Sequence, residues 1–334
     1  MRQQQLEFVI KGWWKHHQTR NSKSLLIKRE FLNMQLSEII SNLENNNGKL
    51  PRQALQRAIE EREAITPLLL DVLSNCKNNL EELSNKPDYI LHICAFYLLA
   101  QFRESQAYPL LIDFFSIPGK MPVDATGNLV GEDLGRILAS VCHGNIEPVK
   151  QLIENKEIDR FVRSAAFESL IILVVQEIIS REKIIQYYEE LFLNIYADKP
   201  SVSQGKKKQD YILADLVMNS SMLAPVELQQ YIEQTFDEGL IRPLDFERRE
   251  FKELLEIGPE ATLNALRNDI HYSLIEDAIS DIESNCFMIF PFPQTHNTLT
   301  EVKGFSNSPK SKSKVKNKKK MQQESRRKNR SKKK

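Results

Sequence analysis

The chain is poor in the residues that build phosphate loops, disulfide frameworks and metal sites. It has eleven glycines in 334 residues. Neither GxGxxG nor GxxxxGK[ST] occurs, so the backbone cradles that hold nucleotide phosphates are missing, and Gly127 and Gly131 stand too isolated to supply one. The four cysteines, Cys76, Cys94, Cys142 and Cys286, are scattered. A disulfide framework needs a shorter chain and a denser pattern. Cys94 and Cys142 fall in apolar helical stretches, where a free thiol packs as a small hydrophobe. The expected setting is therefore a reducing, cytoplasmic one.

Metal and nucleophile signals are equally thin. There is no CxxC pair, no HExxH and no GxSxG. The nearest ligand pairs are His92-x-Cys94 and Cys142–His143. Neighbouring residues of a helix point about 100° apart, so Cys142 and His143 do not converge on one ion. No catalytic residue, cofactor or metal is expected. Uninterrupted apolar runs such as Leu170–Val175 fall far short of the about 20 residues a membrane span needs. The N-terminal stretch, with Arg2, Lys11 and Lys15, lacks the apolar core and small-residue cleavage site of a secretory signal.

Charge of one sign is missing from neither end nor middle, but it is segregated. The net charge of +1 is an average. Residues 302–334 carry fifteen Lys/Arg against the single acid Glu324, and residues 1–30 carry seven against two. The body between them, 31–301, holds 24 bases and 42 acids.

What is present is helix, repeatedly. Four stretches share one plan: an apolar helix, a short polar break and a second amphipathic helix. They are Tyr89–Phe115, Asp133–Asn155, Arg160–Phe192 and Asp210–Phe236. A hairpin of this kind cannot bury its own apolar face, so neighbours must stack. The spacing of Leu36, Ile39, Ile40 and Leu43 predicts an earlier helix, stopped at Asn45–Gly48. Pro51 opens another at its first turn, and Thr66 is expected to cap a helix starting at Pro67. Residues 119–132 read as a loop. Shorter helices are predicted near Phe246–Leu255, Pro259–Leu266 and Tyr272–Ser284, with a polar linker at Asp198–Gln209. The fold class is all-α: an α-solenoid of degenerate HEAT-like hairpins over residues 31–292. A basic N-terminal arm, 1–30, precedes it. A Lys-rich tail, 293–334, follows, too polar to offset chain entropy and expected to be disordered.

Several runs resemble the DUF1186 family of HEAT-like bacterial proteins. They are Leu36–Gly48 (LSEIISNLENNNG), Pro51–Leu70 (PRQALQRAIEEREAITPLLL), Ala100–Leu111 (AQFRESQAYPLL), Glu132–His143 (EDLGRILASVCH) and Ile153–Ala166 (IENKEIDRFVRSAA). The resemblance spans about residues 34–290. It implies an all-helical repeat protein and supplies no activity. Relatives of this type often end in a short Cys-rich zinc motif. This chain has no cysteine after Cys286, and the basic tail stands in that place.

Two polar clusters are candidates for function. Glu132, Asp133 and Arg136, with Arg103 and Glu104 at the preceding hairpin turn, read as a groove contact for a partner, or as helix capping and salt bridging between repeats. In the tail, Lys318, Lys319, Lys320, Arg326, Arg327, Lys328 and Arg330 read as a non-specific contact for RNA or DNA, without aromatics for base stacking. Three functional readings stay open: a non-catalytic protein-binding adaptor, a nucleic-acid- or ribosome-associated protein held by its tail, and an enzyme of unrecognised type.

Overall fold

The computed structural model describes residues 35–44, 48–86, 88–197, 211–241 and 246–284. They belong to one compact unit, Met1–Pro293; a second unit, Gln294–Lys334, contains none of them. The N-terminal arm, the 198–209 linker and the basic tail, with its seven candidate cations, lie outside the described residues.

Every extended element among the described residues is a helix; an isolated bridge joins Gly119 and Ile158. Helix α1 (35–44) buries Leu36, Ile39 and Leu43. After Pro51 comes α2, Arg52–Glu60, then α3, Arg62–Cys76. The start expected at Pro67 is therefore five residues late. The apolar stripe Ile65, Leu69 and Leu73 runs past the proline. Burial along one face holds the helix through a residue that supplies no N–H. Thr66 does not cap: its hydroxyl donates 2.7 Å back to the Arg62 carbonyl.

The four hairpins form as expected. They are α5 (Leu91–Gln101) with α6 (Ala107–Phe115), α9 (Leu134–Val141) with α10 (Glu147–Glu154), α11 (Arg160–Val175) with α12 (Arg181–Ala197), and α13 (Tyr211–Ser221) with α14 (Gln229–Asp237). Between α6 and α9 the predicted loop is instead two short helices, α7 (Met121–Thr126) and α8 (Leu129–Glu132). Pro122 suits the first turn of α7, and Gly127, at φ 58°, separates the pair. Buried Leu129 and Val130 fix the second. A final set comprises α4 (Leu80–Ser84), α15 (Arg248–Ile257), α16 (Pro259–Leu266) and α17 (Ala278–Ser284).

A shared turn marks the repeat better than the sequence does. Each first helix is followed within three residues by a non-glycine in the left-handed region: Arg103 (φ 55°), His143 (φ 48°), Glu177 (φ 58°) and Ala224 (φ 45°). Two of these are Schellman caps. Glu104 N donates to Leu99 O and Arg103 N to Ala100 O, both at 3.0 Å; Ile178 N donates to Leu173 O at 2.9 Å and Glu177 N to Val174 O at 3.0 Å.

Stacking follows chain order. Helix α3 packs on α5, α5 on α9, α9 on α11 and α11 on α13, while α6 packs on α10 in the second layer. Ten of the eleven residues of α5 are buried, as a helix apolar all round requires. Phe96, Phe114 and Phe115 meet there with ring centroids 4.9–5.7 Å apart. The end of the chain departs from a simple array: α17 returns to pack on α5 and α2.

A buried arginine, the returning chain and an open groove

The helix expected over Tyr272–Ser284 is only partly helical. Residues Ile270–Tyr272 make a single 3₁₀ turn, and α17 starts at Ala278. Between them the backbone has left helical geometry to bond with the hairpins. Gln176 Nε2 donates to Tyr272 O at 2.9 Å. Ile275 N donates to Ser140 Oγ and Ala278 N to Gln101 Oε1, each at 2.9 Å. Burial of Ile275, Ala278 and Ile282 adds an apolar anchor.

Arg136 is the centre of this junction. It stands on α9 within a helix whose every residue is buried. Its Nη1 bonds Asp133 Oδ1 at 2.6 Å and Asp281 Oδ1 at 3.0 Å. Its Nη2 donates to Ser273 Oγ, Leu274 O and Asp281 Oδ2 at 3.1–3.3 Å, and its Nε to Ser273 O at 3.1 Å. Tyr97 Oη donates to the second oxygen of Asp133 at 2.6 Å. Burial alone lowers the guanidinium pKa; the hydrogen bonds and charges of Asp281 and Asp133 outweigh it and raise it. The fork is fully engaged, so Arg136 holds the chain itself.

Arg103 does the same from the preceding turn. Its Nη1 donates to Ile275 O at 2.6 Å, and its Nη2 pairs with Glu276. Glu177, at the next Schellman turn, pairs with Arg267 at 2.6 Å. Both non-glycine caps thus turn a charged side chain toward the returning segment. A left-handed side-chain residue costs about 1–2 kcal/mol.

Of the five residues singled out in sequence, the structure brings Arg103, Asp133 and Arg136 to this junction. Glu132 is exposed beside it, and Glu104 accepts a local bond from Gln106 N at 3.0 Å. The segment against this cluster is the chain's own 273–281, which restricts it as an open partner groove. Sequence reading missed Ser140, Ser273 and Asp281. The pair Arg136 and Ser140, one turn apart on an otherwise apolar face, was the available signal; the distant partners carried none.

Glu168 lies on α11 against the same cluster. Gly135 of α9 packs there so closely that an added Cβ would stand 2.7 Å from Glu168 Oε2 and 3.1 Å from Ala165 O. Burial raises the Glu168 carboxyl to about 7, with His271 and Arg136 opposing and Asp133 and Glu132 adding. His92, buried on α5, is pushed down to about 4 by burial, against its bond to the Ala125 carbonyl at 2.8 Å. Cys94 is wholly buried with its thiol pushed up to about 12. His143 bonds Arg103 O at 2.9 Å, away from the Cys142 thiol, which faces Ala139 O. Among the described residues no group of three or more His, Cys, Asp or Glu is arranged to hold a metal ion, and no helix is long and apolar enough to cross a membrane.

The open concavity lies elsewhere, between α1, α3 and α4, with a volume of about 620 Å³. Helix α1 lines it with Ser37, Ile40, Ser41 and Glu44, and α3 with Leu68, Asp71, Val72 and Asn75. Both sets follow helical spacing, so each helix shows a full stripe to the cavity. Ile40, Leu68 and Val72 are half-buried and form an apolar floor. Lys86 on the rim pairs with Glu82. Glu44 and Asp71 have no cationic partner among the described residues.

Comparison with known proteins places this arrangement. The profile described as protein of unknown function (DUF1186) matches residues 34–288. An uncharacterized protein of Chlamydia trachomatis serovar D is 34% identical over 254 residues, covering 75% of this chain and 96% of the relative. An uncharacterized protein of Chlamydia muridarum is 33% identical over 252 residues, with the same coverage. No solved structure matches. The matched span contains every helix described above, and the chain belongs to the DUF1186 family.

Proposed function

We propose that this chain is a non-catalytic, protein-binding solenoid of HEAT-like type, an adaptor acting in the cytoplasm. The observation that carries the reading is the open groove of α1, α3 and α4: an apolar floor between two helical stripes, rimmed by hydroxyl, amide and carboxylate groups. A groove of this make suits a side chain or short segment of another protein. The buried polar residues around Arg136 are, by contrast, engaged by bonds within the chain. The test is photo-crosslinking from a reactive residue placed at Val72 in cells, with and without nuclease. A discrete crosslinked protein that survives nuclease and disappears in an Asp71→Lys background supports the adaptor. Absence of any protein adduct from this position overturns it.

A second reading rests on a separate observation, the fifteen Lys/Arg of residues 302–334. Cations at that density bind phosphates without reading sequence. The acidic body repels polyanions, so binding of RNA or DNA should vanish on truncation after Glu301 and weaken steeply with salt. Equal binding by full and truncated chains would remove the tail as the anchor.

A further inference from the structure

The groove has an apolar floor and two carboxylates without cationic partners among the described residues, Glu44 on α1 and Asp71 on α3. Its complement is a segment with adjoining large apolar side chains flanked by cations. The first thirty residues contain one: Leu25, Leu26 and Ile27 stand between Lys23 and the pair Lys28–Arg29. This stretch carries seven Lys/Arg against two acids, so its charge opposes that of the groove and of the body around it.

Tethering strengthens the match. Helix α1 begins at residue 35, and its first turns supply Ser37 and Ile40 to the lining. Ile27 is eight residues before that start, a reach of at most about 28 Å at about 3.5 Å per residue. A segment held so close has an effective concentration of the order of millimolar, so weak contacts suffice for occupancy. The family match begins at residue 34, so the arm lies outside the matched span.

We propose that residues 1–34 of the chain dock in the groove between α1, α3 and α4, through Leu25–Ile27 on its floor and Lys23, Lys28 and Arg29 on Glu44 and Asp71. The inference rests on the reading of that groove as a protein-binding surface. Salt that screens the rim charges should weaken this docking.

The chain supplies its own reporter. Its two tryptophans, Trp13 and Trp14, both lie in the arm, so intrinsic tryptophan emission reads the arm alone. The full-length protein is compared with a synthetic peptide of residues 1–34 and with two full-length variants, Glu44→Lys/Asp71→Lys and Val72→Glu, each checked by circular dichroism for an unchanged helical melt. The expected result is a several-fold lower acrylamide quenching in the full chain than in the peptide, lost in both variants and at high salt. Emission and quenching equal to those of the free peptide, or unchanged by both variants, overturn the proposal. Crosslinking from position 72 separates the two readings. An intramolecular adduct to the arm supports docking even where no partner is captured. A partner adduct with freely quenched tryptophans sinks the docking and leaves the adaptor standing.

Discussion

Replacing Arg136 by Met tests the junction that closes the fold. The side chain keeps its volume and loses its charge and all its donors. Three acceptors on the returning segment, Ser273 O, Leu274 O and Ser273 Oγ, lose their bonds, and Asp133 and Asp281 lose the buried guanidinium that faces them. Removing one partner of a buried pair typically costs about 3–5 kcal/mol, because the other charge is stranded. Relief is available, since Tyr97 still donates to Asp133 and α17 lies near the chain's described end. The expected loss is therefore about 3 kcal/mol, at the low end of that range. Urea unfolding at pH 7 measures it as a fall in midpoint at constant slope. Hydrogen exchange should show 270–284 opening first, since Arg136 supplies bonds that hold it, to Ser273, Leu274 and Asp281. Arg136→Lys should recover part of the loss, as a point charge without the fork. A cost below about 1 kcal/mol for Arg136→Met, or exchange unchanged over 270–284, would refute the claim that this guanidinium holds the chain's return.

Three further outcomes follow from the same geometry. Glu168 has a folded pKa near 7 against 4.5 for the unconstrained group. The folded state then binds the extra proton between those values, so stability falls as pH rises from about 4.5 to about 7 and is flat beyond. Glu168→Gln should add up to about 3 kcal/mol above pH 7 and nothing near pH 4, read from unfolding midpoints across pH; a gain that does not grow with pH would refute it. Gly135→Ala should cost about 1–2 kcal/mol, the clash with Ala165 O outweighing the helix-propensity gain, and an increase in melting temperature would contradict the close α9–α11 approach. Ala224→Gly, at a buried φ of 45°, should stabilise by about 0.5–1 kcal/mol in the same assay, because glycine relieves the left-handed strain; a loss would show that the alanine methyl packs to more effect than the backbone is strained.

Apolar periodicity alone determined that this chain is all-α and where its hairpins lie. The stripes of α5, α9, α11 and α13 recur at helical spacing, and a helix apolar on all sides must be covered by others. The resemblance runs fall on α1 to α3, α5, α6 and α9 to α11. Local chemistry was less decisive. Pro67 looked like a start because a missing N–H is cheap at a first turn, yet the buried stripe continued through it. The 119–132 stretch looked like a loop because glycine signals mask two helices of six and four residues. What only the tertiary structure decided is the fate of the charged residues. Arg103 and Arg136 could equally have faced a partner. Their ligands, Ile275, Glu276 and Asp281, lie more than 130 residues away, and one sequence has no local pattern that pairs them. The left-handed turns at Arg103 and Glu177 are likewise silent in sequence, because no glycine marks them. Periodicity is a property of one helix and can be read from it; a buried ion pair belongs to two distant segments and exists only once the chain has closed.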